Sequence, residues 1–189
     1  MDDYPTHLAP EMSEGGGILT PFDEWWHKTK EHFPNVPEII AEDWLHRHWG
    51  QSPHSWLQSR NYDFLLEDLH RDHLPLILSG TSEFEPGGQK AMQHGMYLCG
   101  EHPEHQFPSE PLWLVRYMLK SQTFPTPITV LDNRDGHIGY SEYPLWVKNR
   151  IPTGLILIEG HKRHEIGLYL RSIGKLRSQL PICRMTLRK

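Results

Sequence analysis

Cysteine is scarce: only Cys99 and Cys183 occur in 189 residues. Two thiols so far apart exclude a disulfide framework, and a reducing compartment is the simpler expectation. Long apolar runs are missing as well; the stretch from Gly154 to Ile158 is typical and far too short to cross a bilayer. No apolar segment follows the acidic start Met1-Asp2-Asp3, so no secretory signal is expected. Internal repeats and low-complexity tracts are absent. What the chain does hold is seven Trp, seven Tyr and six Phe, with 37% apolar and 23% charged residues. That is the composition of a folded, somewhat polar protein with enough material for a core.

Acidic residues are also missing after Glu165, and this uncovers a charge split. The formal net charge is −5, yet residues 1–110 hold 19 acids against 6 Lys/Arg, whereas residues 111–189 hold 5 acids against 13 Lys/Arg. Eleven of the 14 histidines precede residue 111. Such asymmetry favours an anionic partner for the basic end. The plainer alternative is that the two parts neutralise each other inside the fold.

Local signals order the chain. Residues 1–19 read as a loose arm with Pro5, Pro10 and Gly15-Gly16-Gly17. Thr20-Pro21 marks a helix start, with Phe22, Trp25, Trp26 and Phe33 as its apolar stripe. A second helix is expected from Pro37 to Trp49 around Ile40, Trp44 and Leu45, and a third from Tyr62 to Leu69. Strands are expected at Leu74–Leu78 and, within long loops, at Gly95–Cys99. Ser109-x-Pro111 opens a helix containing Val115 and Met118. Beyond it come a strand at Pro127–Leu131, a turn at Asn133–Gly136 and a strand at Leu155–Ile158, whose continuous apolarity implies burial on both faces. A helix over Lys162–Ile173, stopped by Gly174, and a strand over Pro181–Leu187 complete the pattern.

The informative segment is Leu155-Ile-Leu-Ile-Glu159-Gly160-His161-Lys162-Arg163-His164-Glu165. Acids normally occupy a helix start, because its free N–H groups carry partial positive charge. Stacking His161, Lys162 and Arg163 there makes sense if an anion sits against the turn, with Gly160 allowing close backbone approach. A plainer reading pairs these residues with Glu159 and Glu165.

This strand–turn–helix, with the strands at 127–131 and 181–187 around it, resembles the ParB/sulfiredoxin-like superfamily, in which a Gly-X-X-Arg turn at a helix start binds nucleotide phosphate. The resemblance covers residues 109–189 and implies an α+β fold: a ParB/sulfiredoxin-like core at 109–189, with residues 1–108 as an acidic, mainly helical N-terminal extension with long loops. His161 stands where sulfiredoxins carry their catalytic cysteine, so thiol-based repair chemistry is not expected. Only 26 residues follow Arg163, so the DNA-reading helix-turn-helix of partition proteins is not expected either. The length and the Trp-rich acidic extension resemble the plasmid-encoded fertility inhibition and oncogenic suppression group. That resemblance implies a cytoplasmic bacterial protein that hydrolyses ATP with a divalent cation such as Mg²⁺. It further implies DNA cleavage and a block on transfer through a type IV secretion system. The alternative is a non-catalytic module that binds DNA or a secretion component.

Under this reading Gly160, His161, Lys162 and Arg163 hold the phosphates, and Glu159, His161 and Arg163 carry the chemistry. Glu159 would orient water or hold the cation. Asp132, Arg134 and Asp135 form a second candidate cluster that could share a metal with Glu159, although ordinary turn chemistry also explains them. DNA would meet Arg171, Lys175, Arg177, Arg184, Arg188 and Lys189, mostly through phosphates. His46-x-His48, His70-x-x-His73 and Cys99-x-x-His102-x-x-His105 have conceivable metal spacing but complete no zinc signature. Trp25, Trp26, Trp44, Trp49 and Trp56 read as packing residues.

Overall fold

The unbroken apolar run before Gly160 becomes the middle of the molecule. As strand β4 (Leu155–Glu159) it sends Leu155 and Leu157 to one face of a sheet and Ile156 and Ile158 to the other. The computed structural model describes residues 5–49, 52, 54, 57–101, 113–140 and 150–189. Beside β4 lie β3 (Ile128–Asp132), antiparallel, and β2 (Ile77–Leu78), parallel. Strand β5 (Gln179–Leu187) runs parallel to β3, and β1 (Tyr62–His70) pairs antiparallel with β5. The five-stranded mixed sheet has the order β1-β5-β3-β4-β2.

Two cores sit on its two faces. One is aromatic, built by α1 (Phe22–Thr29) and by α2 (Glu38–Ile40), which continues into a π-helical turn over Ala41–His46. Trp25, Phe33, Trp44 and Trp49 are buried there, with the Trp25 and Trp49 rings 5.7 Å apart, and the Trp25 indole donates to the Leu8 carbonyl at 2.8 Å. These tryptophans pack as expected; Trp26 is half-buried against Phe22, and Trp56 lies outside the described residues. The other core joins α3 (Gln89–Leu98), α4 (Trp113–Ser121) and α5 (His161–Ser172) to the sheet through Ala91, Val115, Met118, Ile166 and Leu170. The α+β class is therefore observed.

From residue 127 onward the elements fall where the sequence placed them. The Gly136 amide donates to the Asn133 carbonyl at 3.0 Å to close the turn. Gly174 adopts φ 70° after α5, and the Lys175 amide donates to the Leu170 carbonyl at 2.8 Å. The Ser109-x-Pro111 signal lies outside the described residues.

Four expectations are corrected. Tyr62–Leu69 is strand β1 rather than a helix, because nine residue pairs with β5 satisfy its backbone. Gly95–Cys99 belongs mainly to α3 rather than to a strand. Arg71–Leu76 forms 3₁₀ turns containing Pro75, which leaves only Ile77–Leu78 as strand. At the start of α1, Pro21 takes the cap position, and the Thr20 hydroxyl instead accepts from the Glu11 amide at 2.9 Å. The stretches 1–108 and 109–189 also share the sheet, since β1 and β2 come from the first and β3, β4 and β5 from the second. Among the described residues no helix is long and apolar enough to cross a membrane.

Gly95 explains why α3 is a helix despite its glycine. A Cβ there would lie 2.0 Å from the Glu165 carbonyl oxygen, so α3 and α5 touch backbone to backbone. The obstacle is main chain and cannot rotate away. Gly95→Ala is expected to cost about 3 kcal/mol, the upper end for overpacking. Urea unfolding of the variant checks this, and a loss below about 0.5 kcal/mol contradicts the close contact.

Candidate functional site

Gly160 links β4 to α5 at φ 96°, in the left-handed region, and a Cβ there would lie 2.6 Å from Ile128. The turn therefore requires glycine. The first amides of α5 have no partner within the helix, and the turn borders a cavity of about 550 Å³, which Glu159, Gly160, His161, Lys162 and Arg163 all line. The segment singled out from the sequence thus borders a real cleft. Asp43, Arg47 and His48 from the turn after α2 line it too, and Trp113, Leu114 and Pro125 add apolar surface.

Arg163 points back into the protein. Its side chain is 8% exposed, and its guanidinium meets Asp43 Oδ2 at 2.6 Å and Glu159 at 3.8 Å. Thr126 donates to the same Asp43 oxygen at 2.6 Å and also contacts the Arg163 guanidinium. Burial pulls the Arg163 proton affinity down, while Asp43 and Glu159 oppose this. Arg163 consequently shapes the wall of the cleft as half of a buried ion pair. Arg47 lies 3.5 Å from the other Asp43 oxygen and is mostly exposed.

His161 is not a cation here. Burial first, then the neighbouring His54, His164, His48 and Arg163, push it down to about 3. Its ring lies parallel to His54 at 6.4 Å, and its Nδ1 is 3.1 Å from the Ser79 hydroxyl. It can serve as a neutral donor or acceptor. Of the three basic residues expected at the helix start, Lys162 is the exposed one, with no ion pair among the described residues. Glu159 stands between His48 at 3.6 Å and Arg163 at 3.8 Å and lines the cleft.

The second acidic cluster lies elsewhere. The antiparallel register sets Asp132 opposite Leu155 and Thr129 opposite Glu159, so Asp132 and Glu159 mark opposite ends of β4, about 13 Å apart. They cannot share one cation. Asp132 pairs with Arg134, whose hydrogen bond holds the carboxyl below its usual range, and Asp135 is lowered by the His137 contact at 2.5 Å. Among the described residues no three His, Cys, Asp or Glu gather to hold a metal. His46 meets the Thr20 carbonyl at 2.9 Å, and His70 accepts weakly from the Asp72 amide. His102 and His105 lie outside the described residues. Cys99 and Cys183 are pushed up to about 11 and about 12, chiefly by burial, so neither is a thiolate near neutral pH.

Half of the expected DNA-facing cations are neutralised within the fold. Arg171 lies 3.5 Å from Asp72, Arg184 is 2.5 Å from Glu67 and 3.8 Å from Asp132, and Arg188 is 2.7 Å from Asp63. The acids Asp63, Glu67 and Asp72 belong to the acidic portion, so the charge split is in part internal complementarity. Lys175, Arg177 and Lys189 remain exposed. Sequence reasoning missed Asp43, Thr126 and Trp113, which line the cleft, and Ser79, which contacts His161. Asp43 alone carried a signal, as an acid next to Trp44 in a helix that must bury its neighbours. Comparison with protein-family models, with curated proteins and with solved structures finds no match.

Proposed function

We propose that this chain binds and hydrolyses a nucleoside triphosphate in the cleft at the start of α5, as the resemblance to the ParB/sulfiredoxin-like superfamily implies. One observation carries this reading. The glycine turn and the first turn of α5 line a cavity that Arg47, Lys162 and the 65% exposed Trp113 line as well. Amides and Lys162 suit phosphate oxygens, and the indole suits the flat face of a base. Glu42, Asp43 and Glu159 also line this cavity, so the triphosphate enters as its magnesium complex rather than as a bare polyanion. Glu159 then orients the attacking water, and neutral His161 hydrogen-bonds at the reacting end.

The wider role in this proposal is that of a fertility inhibition factor, cleaving DNA and blocking its transfer through a type IV secretion system. DNA phosphates would meet the exposed Lys175, Arg177 and Lys189, with Arg171, Arg184 and Arg188 reduced to structural partners of acids. The burial of Arg163 in its pair with Asp43 favours a second reading, a docking module that holds an anion without turnover.

Phosphate release from ATP by the full chain with Mg²⁺ separates the two readings. Glu159→Gln is expected to lower kcat by about a hundredfold or more with binding retained. Lys162→Ala is expected to weaken binding roughly tenfold to a hundredfold, as loss of a charged hydrogen bond requires. Binding without turnover by the unmodified chain establishes the docking module instead.

A further inference from the structure

Glu165 lies one turn beyond His161 on α5 and is 4% exposed. One of its oxygens, Oε2, faces Nδ1 of the half-exposed His94 on α3 at 2.8 Å. The other, Oε1, accepts from the Thr81 hydroxyl at 3.4 Å. Thr81 Oγ1 is 2.8 Å from Ser79 Oγ, which in turn is 3.1 Å from His161 Nδ1. An unbroken chain of hydrogen bonds therefore runs from His94 at the surface to the imidazole at the cleft.

The carboxylate fixes the direction of every bond in that chain. An ionised carboxylate only accepts, so Thr81 gives its single hydroxyl proton to Glu165. Thr81 must then accept from Ser79. Ser79, with its own proton committed, accepts from Nδ1–H of His161. A neutral imidazole has one ring proton, so Nε2 is left with a lone pair. That Nε2 is buried and has no hydrogen-bond partner among the described residues, so nothing described sets the tautomer from the other side.

We propose that Glu165 dictates, through Thr81 and Ser79, that His161, which lines the cleft, keeps its proton on Nδ1 and leaves its buried Nε2 as an acceptor. The inference rests on the nucleotide reading of the cleft, in which Nε2 receives a proton from the attacking water as its oxygen bonds to phosphorus. The Nδ1 proton then passes to Ser79, that of Ser79 to Thr81, and that of Thr81 to Glu165. His161 ends neutral with its proton on Nε2, Glu165 ends neutral, and every hydrogen bond in the chain has reversed. Loss of the Nε2 proton to water or product phosphate in the cleft, with the relay running back from Glu165 through Thr81 and Ser79 to Nδ1, restores the starting state. Ser79, Thr81 and Glu165 are positioning residues in this scheme.

The surroundings suit it. His161 is faced by His48, His54, His164 and Arg163, none of which offers a carboxylate. Glu165 is faced by His94, Thr81 and Lys162, and its burial pushes the carboxyl upward so that proton uptake becomes easier.

Nitrogen-detected imidazole NMR on the full chain near neutral pH reads the tautomer without any nucleotide. His161 is expected as a single Nδ1–H form. Thr81→Val cuts the chain at an exposed position and is expected to give an Nε2–H form or a mixture; Ser79→Ala is expected to do the same. In phosphate release, Thr81→Val is expected to lower kcat about tenfold with KM unchanged. An Nε2–H tautomer in the unmodified chain, or an Nδ1–H tautomer that survives Thr81→Val, overturns the proposal. A chain that shows the tautomer switch yet never turns over ATP supports the tautomer assignment and overturns the hydrolysis reading, and the relay with it.

Discussion

Arg163→Ala is expected to destabilise the fold by about 3 kcal/mol, the lower end of the cost of breaking a buried ion pair. The side chains of Arg163 and Asp43 are 8% and 12% exposed, so removing the guanidinium leaves a carboxylate with little access to water. Arg47, 3.5 Å away and mostly exposed, can swing toward Asp43, which keeps the loss from reaching the upper end of about 5 kcal/mol. Thr126 loses a partner in the same step. Most of this cost is the stranded charge rather than the worth of the pair. Arg163→Met combined with Asp43→Leu is therefore expected to recover most of the stability, since apolar residues of similar size replace buried pairs well. Urea unfolding of the two singles and the double closes the cycle. A single-variant loss below about 1 kcal/mol contradicts the arrangement.

Acid is expected to unfold the protein steeply between pH 6.5 and 4. Three imidazoles are held neutral by burial: His54 at about 4, His161 at about 3 and His164 at about 4, against an ordinary 6.5. The unfolded chain takes up these protons below pH 6.5 while the folded chain refuses them. Stability is thus complete above about 6.5, falls with pH, and stops falling near pH 3 to 4, where the folded form also protonates. Glu165 acts in the opposite sense, because its raised carboxyl takes up a proton more readily in the folded state. One such group does not offset three. The slope near pH 5 is expected to exceed about 1.4 kcal/mol per pH unit, the most a single group can supply. His164 donates from Nε2 to the Leu74 carbonyl at 3.2 Å, and His164→Gln is expected to flatten the curve. Equal stability at pH 7 and pH 5 contradicts the burial of these rings.

Local signals made one part of this fold legible. Strands β3 and β4, helix α5 and strand β5 follow each other with glycine or proline at their borders, and each lies within a few residues of its sequence signal. Elements settled by distant contacts were not legible. Tyr62, Leu65, Leu66 and Leu69 fall at helical spacing, yet β5, more than 100 residues later, makes the segment an edge strand. Leu65 and Leu66 remain about half exposed, which erases the alternation that marks a strand. Gly95 argues locally against a helix, and only its contact with α5 shows why a helix needs it there.

The site divides the same way. Gly160 to Arg163 could be picked out as a phosphate turn because its residues are consecutive. Asp43, Thr126 and Ser79 reach it from 37 to 120 positions away in the chain. Their presence changes the chemistry: Arg163 becomes structural, and Lys162 carries the exposed charge.

A nucleotide site in the cleft at the start of α5 is open to calorimetric titration of the full chain with Mg-ATP. Saturable one-to-one binding is expected, weakened roughly tenfold to a hundredfold by Lys162→Ala and left unchanged by Arg134→Ala at the far end of the sheet. No saturable binding, or equal weakening by both substitutions, contradicts it.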